Sequence, residues 1–369
     1  MKIAIVTLPL HTNYGGLLQA YALKTVLEDL GHSVDVLDLK EKMPVPRGLK
    51  APFIYLSRAM KRLVKGKKGP EVFREIRYRR ELPQRSEYTS KFVDRCIAPR
   101  MIDRYEDIKE GEYGAYVVGS DQVWRPLYFS GIQNAFLKFT EGWDVKRLSY
   151  AASFGTDQLE YEYTQLAECA RLLAGFDAVS VREASAVGMC AEWLDCDKAV
   201  HVLDPVMLAD VQDYLSLAGS ADGHPAKGRI MTYVLDPSGE KTHVLEFVRK
   251  ITGKEPYSLD LSGTVPPVEQ WLAGFADSDF VVTDSFHGCV LALMMHKRFI
   301  AVGNSRRGMA RLNSLLTMFG LDQRLVHGID PEDDGEFFLS EPDWESVDRI
   351  LDEMKSASLS FLNDALNTR

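Results

Sequence analysis

Residues 3–8 form an unbroken apolar run, IAIVTL, which suits a central parallel strand buried on both faces. A polar turn with two glycines follows, HTNYGG. Over residues 17–31, LLQAYALKTVLEDLG, the apolar positions recur at helical spacing. Leu18, Tyr21, Ala22, Thr25, Val26 and Leu30 share broad faces, and Gly31 supplies a C-terminal stop. Residues 34–39 return to strand character. The pattern predicts a βαβ unit whose turn lies at the carboxyl end of the first strand, where open α/β sheets place ligands. Strands are also expected at 115–119, 148–153 and 178–181, with a helix over 161–173.

A second alternating series begins near residue 228. It reads as strand 229–235, helix 240–251, a short extended piece at 256–261, helix 268–275, strand 280–283, helix 288–295, strand 299–302 and helix 308–319. Residues 210–227 are rich in Asp, Gly, Ser and Ala and read as a linker. The expected architecture is α/β, with two Rossmann-like domains facing across a cleft, one at 1–209 and one at 210–340. A C-terminal helix within 341–369 is expected to return to the first domain. Residues 41–110 break the rhythm with prolines and basic residues and read as a basic helical insertion in the first domain.

Charge sharpens that last reading. Residues 40–100 carry 18 Lys and Arg against 6 Asp and Glu, so a net +12 segment sits on a chain whose total is −9. A local anionic partner is implied, with peripheral contact to an anionic membrane through residues 41–100 as one form of it. Phe53, Leu56, Met60 and Leu63 fall on one helical face, as an interfacial helix would have them, although a lid packed on the first domain is the preferred reading. The overall acidity and the lack of a known module argue against nucleic acid. Five scattered cysteines fit reduced thiols and a cytoplasmic location, at most peripheral to the inner face of the membrane. Their spacing matches no metal site, so no metal is expected.

Five segments carry candidate chemistry. In HTNYGGLLQA, Asn13, Tyr14, Gly15, Gly16 and Gln19 can form an anion-binding or acceptor-binding turn at a helix start, or simply a tight turn. In VVGSDQVW, Ser120, Asp121 and Gln122 stand at a strand end. Asp121 can accept a hydroxyl proton and Trp124 can stack on a sugar, or the pair Ser120–Asp121 can cap a turn. After YAASFG, the segment SVRE places Arg182 directly beyond a strand, fit for a carboxylate or phosphate, though a salt bridge is the usual fate of such an arginine. In TDSFHG, an apolar strand ends in a polar break and a histidine at the start of a helix. That placement favours a chemical role for His287 over a cap. Arg306, Arg307 and Arg311 cluster before or inside the helix over 308–319 and can clamp a polyanion, or lie solvated on its surface.

Taken in order, NYGGLLQAYAL, VVGSDQVW, YAASFG, SVRE, LDPVMLA, TDSFHGCVLAL and RLNSLLTMFGL resemble the polysaccharide pyruvyl transferase family, over residues 3 to about 325. The resemblance implies a glycosyltransferase-B-like fold. It also implies transfer of a pyruvyl group from phosphoenolpyruvate to two hydroxyls of a sugar acceptor, lipid-linked or free, forming a cyclic ketal and releasing phosphate. No cofactor is implied. His287, Asp121 and Asp284 would be catalytic. Arg182, Ser285, Gly288, Arg306, Arg307 and Arg311 would hold the donor. The family carries an arginine where this chain has Ser285, so that charge must come from elsewhere. Nucleotide-sugar-dependent glycosyl transfer and ligand binding without turnover are the two competing readings of such a cleft.

Overall fold

The computed structural model describes residues 1–40, 51–66, 71–219, 224–304, 308–330 and 333–367. The first domain runs β1 (Lys2–Val6), α1 (Tyr14–Asp29), β2 (Ser33–Leu39), α2 (Ala51–Lys65), α3 (Arg74–Arg85), α4 (Glu87–Phe92), β3 (Arg100–Ile102), β4 (Ala115–Gly119), β5 (Lys146–Ala152), α5 (Tyr163–Leu173), β6 (Ala178–Val181), α6 (Ala184–Leu194) and β7 (Val200–His201). The second runs α7 (Val211–Ala218), β8 (Ile230–Tyr233), α8 (Gly239–Thr252), β9 (Pro256–Tyr257), α9 (Val268–Asp277), β10 (Phe280–Thr283), α10 (Phe286–Met294), β11 (Phe299–Val302), α11 (Ala310–Met318), β12 (Leu325–Val326) and α12 (Glu336–Leu339). The closing helix is α13 (Trp344–Asn367).

Two parallel sheets result, as the alternating pattern predicts for two Rossmann-like domains. One has the order β3-β2-β1-β4-β5-β6-β7 and the other β12-β11-β10-β8-β9. The continuous apolar runs are explained by burial on both faces: Ile3, Ala4, Ile5 and Val6 are fully buried, and so are Val281 and Val282 of β10. In each sheet the strand order reverses at one point, between β1 and β4 in the first and between β10 and β8 in the second. Loops leaving the carboxyl ends of strands diverge there and open a crevice.

A single apolar cluster continues from one domain into the other through α1, α7, α9 and α10. Tyr14 stacks on Trp271 with ring centroids 5.0 Å apart, and its hydroxyl donates to the Pro266 carbonyl at 2.7 Å. The Ala184 amide donates to Ser314 Oγ at 2.9 Å. On α13, Ser358 Oγ accepts from the Leu203 amide, and the Ala365 carbonyl accepts from Lys146 Nζ. Among the described residues, no helix is long and apolar enough to cross a membrane.

Several expectations change. The supposed linker 210–227 contains α7, started by an Asp210 carboxylate that accepts from the Gln212 amide and held by buried Tyr214. α1 begins at Tyr14, three residues ahead of the periodic run. The expected insertion is partly sheet, since β3 pairs with β2 as the edge strand. The extended piece 256–261 shortens to the two residues of β9.

Candidate active site

Four side chains from four separate segments meet between the domains. Arg182 directly follows β6. Its Nη1 donates to Asp204 Oδ2 at 2.8 Å and its Nη2 donates to Asp121 Oδ1 at 3.0 Å. From the other domain, His287 in the first turn of α10 places Nε2 3.7 Å from the same Asp204 oxygen. The Phe286 ring lies 4.4 Å under the Arg182 guanidinium, so the histidine and its neighbour together cover the charge pair. His287 is 6 % exposed and the other three less, so the group is almost closed to solvent.

Burial shapes the electrostatics. Desolvation alone would raise the Asp204 carboxyl, but His287 and Arg182 outweigh it and hold it well below the ordinary carboxylate range. The same contest lowers Asp121, with Arg182, His287 and Arg311 as the opposing charges. Arg182 pays a burial cost of the opposite sign, and Asp121, Asp204 and Glu183 reverse it and raise its pKa. Arg311, at the start of α11, is pushed down to about 10 by burial and then by repulsion from Arg182. Two carboxylates therefore stay ionised beside buried cations.

A polar chain supports the group from below. Ser120 Oγ donates within reach of Asp204 Oδ2 (3.2 Å) and Gln19 Oε1 (3.0 Å), and its amide donates to Gln19 Oε1 at 2.8 Å. Gln19 Nε2 donates to Thr7 Oγ1 and the Gly16 carbonyl. Thr7 lines a cavity of about 280 Å3 at the carboxyl edge of β1 and β2, together with Asp38, Tyr105, Tyr128 and Asn134. Gly15 is needed for the domain contact itself. A Cβ there would stand 2.1 Å from His287 Nδ1, so the imidazole nests against the first turn of α1 because no side chain intervenes. The expected anion turn is therefore occupied by a histidine of the other domain.

The remaining expected residues fall elsewhere. Asp284 is engaged as a clamp: its oxygens accept from the Leu235 and Asp236 amides, Lys241 Nζ and Asn304 Nδ2, which ties β10 to the loop after β8. Trp124 is fully buried, stacked on Phe136, with Nε1 donating to the Ala135 carbonyl, so it cannot meet a sugar. Tyr14 belongs to the domain contact. Gln122 Oε1 accepts from Arg125 Nη1, and Asn13 sits beside Gly16 at the start of α1. Ser285 stands where an arginine was expected and instead caps α10, its Oγ accepting from the Gly288 amide at 3.4 Å. A Cβ on Gly288 would meet Thr283 Oγ1 at 2.3 Å, so its role is close packing of helix on strand. Arg306 and Arg307 lie outside the described residues. Arg182 is not an open clamp, because both terminal nitrogens are engaged. Asp204 was not singled out for a role, although it stands within LDPVMLA. Its Oδ1 accepts from the Val206 amide, so the sequence signal is that of an ordinary cap.

The model of the polysaccharide pyruvyl transferase family matches residues 13–306. A search of curated proteins finds no match. Among solved structures, the chain is similar to UDP-GlcNAc 2-epimerase from Neisseria meningitidis bound to UDP-GlcNAc (12 % identity, 100 % of both chains, TM-score 0.49). It is also similar to UDP-GlcNAc 2-epimerase from Methanocaldococcus jannaschii (10 %, 96 % of this chain and 93 % of that one, 0.48) and to MurG from Acinetobacter baumannii (10 %, 100 % and 99 %, 0.42). Nothing about the reaction follows from likeness at that level. On the span of the family match, the chain belongs to the polysaccharide pyruvyl transferase family.

Proposed function

We propose that this protein transfers a pyruvyl group from phosphoenolpyruvate to two hydroxyls of a sugar in a bacterial-type surface polysaccharide or its precursor. The observation that carries the reading is the buried group Asp121–Arg182–Asp204 with His287 of the opposite domain against it. Ketal formation from an enol phosphate requires a proton on the methylene carbon, attack at C2, and loss of phosphate. An imidazolium held beside an ionised carboxylate is suited to the first step.

In this mechanism His287, protonated and steadied by Asp204, gives its proton to C3 of the donor. The first sugar hydroxyl adds to C2. The second hydroxyl then closes on C2 while the C2–O bond to phosphate breaks. Neutral His287 takes up one hydroxyl proton and phosphate leaves with the other, which restores the starting protonation state. Arg311, buried at the start of α11 beside the charge of Arg182, is assigned to the donor. Ser120 and Gln19, both fully buried, position Asp204 from below, and the acceptor approaches from the Thr7 side.

The test is turnover in deuterium oxide with phosphoenolpyruvate and candidate acceptor glycans, read by mass spectrometry. A pyruvyl ketal carrying deuterium in its methyl group, with one phosphate released per ketal, is expected. Phosphate release without an adduct, or turnover of a nucleotide sugar in its place, would overturn the reading.

A further inference from the structure

The helix α2 is built opposite to a helix that packs on its own domain. Its polar side faces the protein. Arg58 grips the buried carboxylate of Glu75 with both terminal nitrogens, at 2.8 and 2.7 Å, and also reaches the Val72 carbonyl at 3.3 Å. Tyr55 meets the Phe73 ring at 5.1 Å. With about 100° between successive residues, Tyr55 and Arg58 define the pinned side of the helix.

The side facing away is apolar. Phe53, Leu56, Met60, Leu63 and Val64 fall within an arc of about 100°. Leu63 and Val64 are each 85 % exposed and Phe53 is 73 % exposed. Lys61 lies about 60° beyond one edge of this arc and Arg62 on the opposite side of the helix, both exposed, and residues 51–65 contain no acidic side chain. A large exposed apolar stripe is normally covered by a partner. The lid reading is therefore replaced: the stripe does not pack on the first domain.

We infer that α2 docks the protein on an anionic lipid surface. The complementarity is specific in two ways. A bilayer supplies an apolar layer for the stripe and anionic headgroups above it, within electrostatic reach of Lys61 and Arg62. The remainder of the chain carries the opposite charge, since residues 40–100 hold net +12 of a total of −9. An anionic surface thus attracts this segment and repels the body, which fixes the orientation of docking. The inference stands apart from the proposed reaction, because lipid docking needs neither donor nor acceptor.

The experiment is sedimentation of the full-length protein with vesicles of phosphatidylglycerol and phosphatidylcholine in equal parts, and with vesicles of phosphatidylcholine alone. The intact protein should partition onto the anionic vesicles and release at high salt. Replacing two charges, Lys61→Gln with Arg62→Gln, should weaken partitioning about 30-fold. Leu63→Glu with Val64→Glu should weaken it by about 100-fold or more. Both pairs are exposed, so their melting temperatures should equal that of the parent. Absence of binding by the intact protein, or binding unchanged in both variants, would overturn the inference. So would concentration-dependent self-association that both variants abolish in the absence of vesicle binding, since the occupant would then be a second copy.

Discussion

Arg182 decides whether the interdomain charges form a stable unit. Alone it would be a costly buried cation; with Asp121 and Asp204 it is neutralised, and one further carboxylate charge remains for His287 to meet. Replacing Asp204 with Asn removes one partner and should cost about 3 kcal/mol at neutral pH, measured by chemical denaturation. The pH dependence has a definite sign. The folded pKa of Asp204 is depressed, so its contribution is complete above the ordinary carboxylate value near about 4 and is lost as pH falls toward the folded value. The gap between the parent and Asp204→Asn should hold at neutral pH and narrow in acid. A gap that widened in acid would contradict the assignment. Arg182 could be read from the sequence because it follows β6 directly, and His287 because it opens a helix just after a polar break at a strand end. Asp204 could not, because Asp before Pro reads as a cap and one of its oxygens does cap; only folding brings the other oxygen to an arginine 22 residues earlier. Trp124 misled for the converse reason, since a tryptophan after a polar break looks the same whether a sugar or Phe136 lies under it.

At the level of elements, the strands were legible because those at the centre of each sheet are buried on both faces, and an unbroken apolar run has few other uses. Helix boundaries were less so. α10 starts at Phe286, not at Gly288, because Ser285 caps it, and this puts His287 in the first helical turn, pointing at α1. α7 was hidden by a small-residue composition that its Asp210 cap and Tyr214 anchor override. Asp284 illustrates how an element end can imitate a catalytic position. Its four hydrogen bonds hold the β10 and β8 loops together, with Lys241 Nζ 2.7 Å away. Asp284→Asn should lower stability by about 3–5 kcal/mol, and Lys241→Met added to it should recover part of the loss. A normal melting temperature with lost turnover would instead restore a catalytic role.

On the scale of the whole molecule, the proposed site draws on both domains, with Asp121 and His287 each beyond a strand at a point of reversal. The first domain provides Asp121, Arg182 and Asp204; the second provides His287 and Arg311. The group is nearly closed to solvent in this arrangement, so the proposed reaction predicts that the domains part to admit the donor. A cysteine pair at Ala184 and Ser314, whose backbone and side chain already touch across the boundary, tests this. Oxidation of the pair should suppress turnover and reduction should restore it, whereas equal rates in both states would show that the domains need not open. The most direct measurement of the central claim is the turnover number for phosphoenolpyruvate-dependent phosphate release by His287→Gln, which keeps a polar side chain of similar reach and cannot carry the proton. The account predicts a fall of at least about 100-fold with an unchanged melting temperature; a rate within a few-fold of the parent would contradict it.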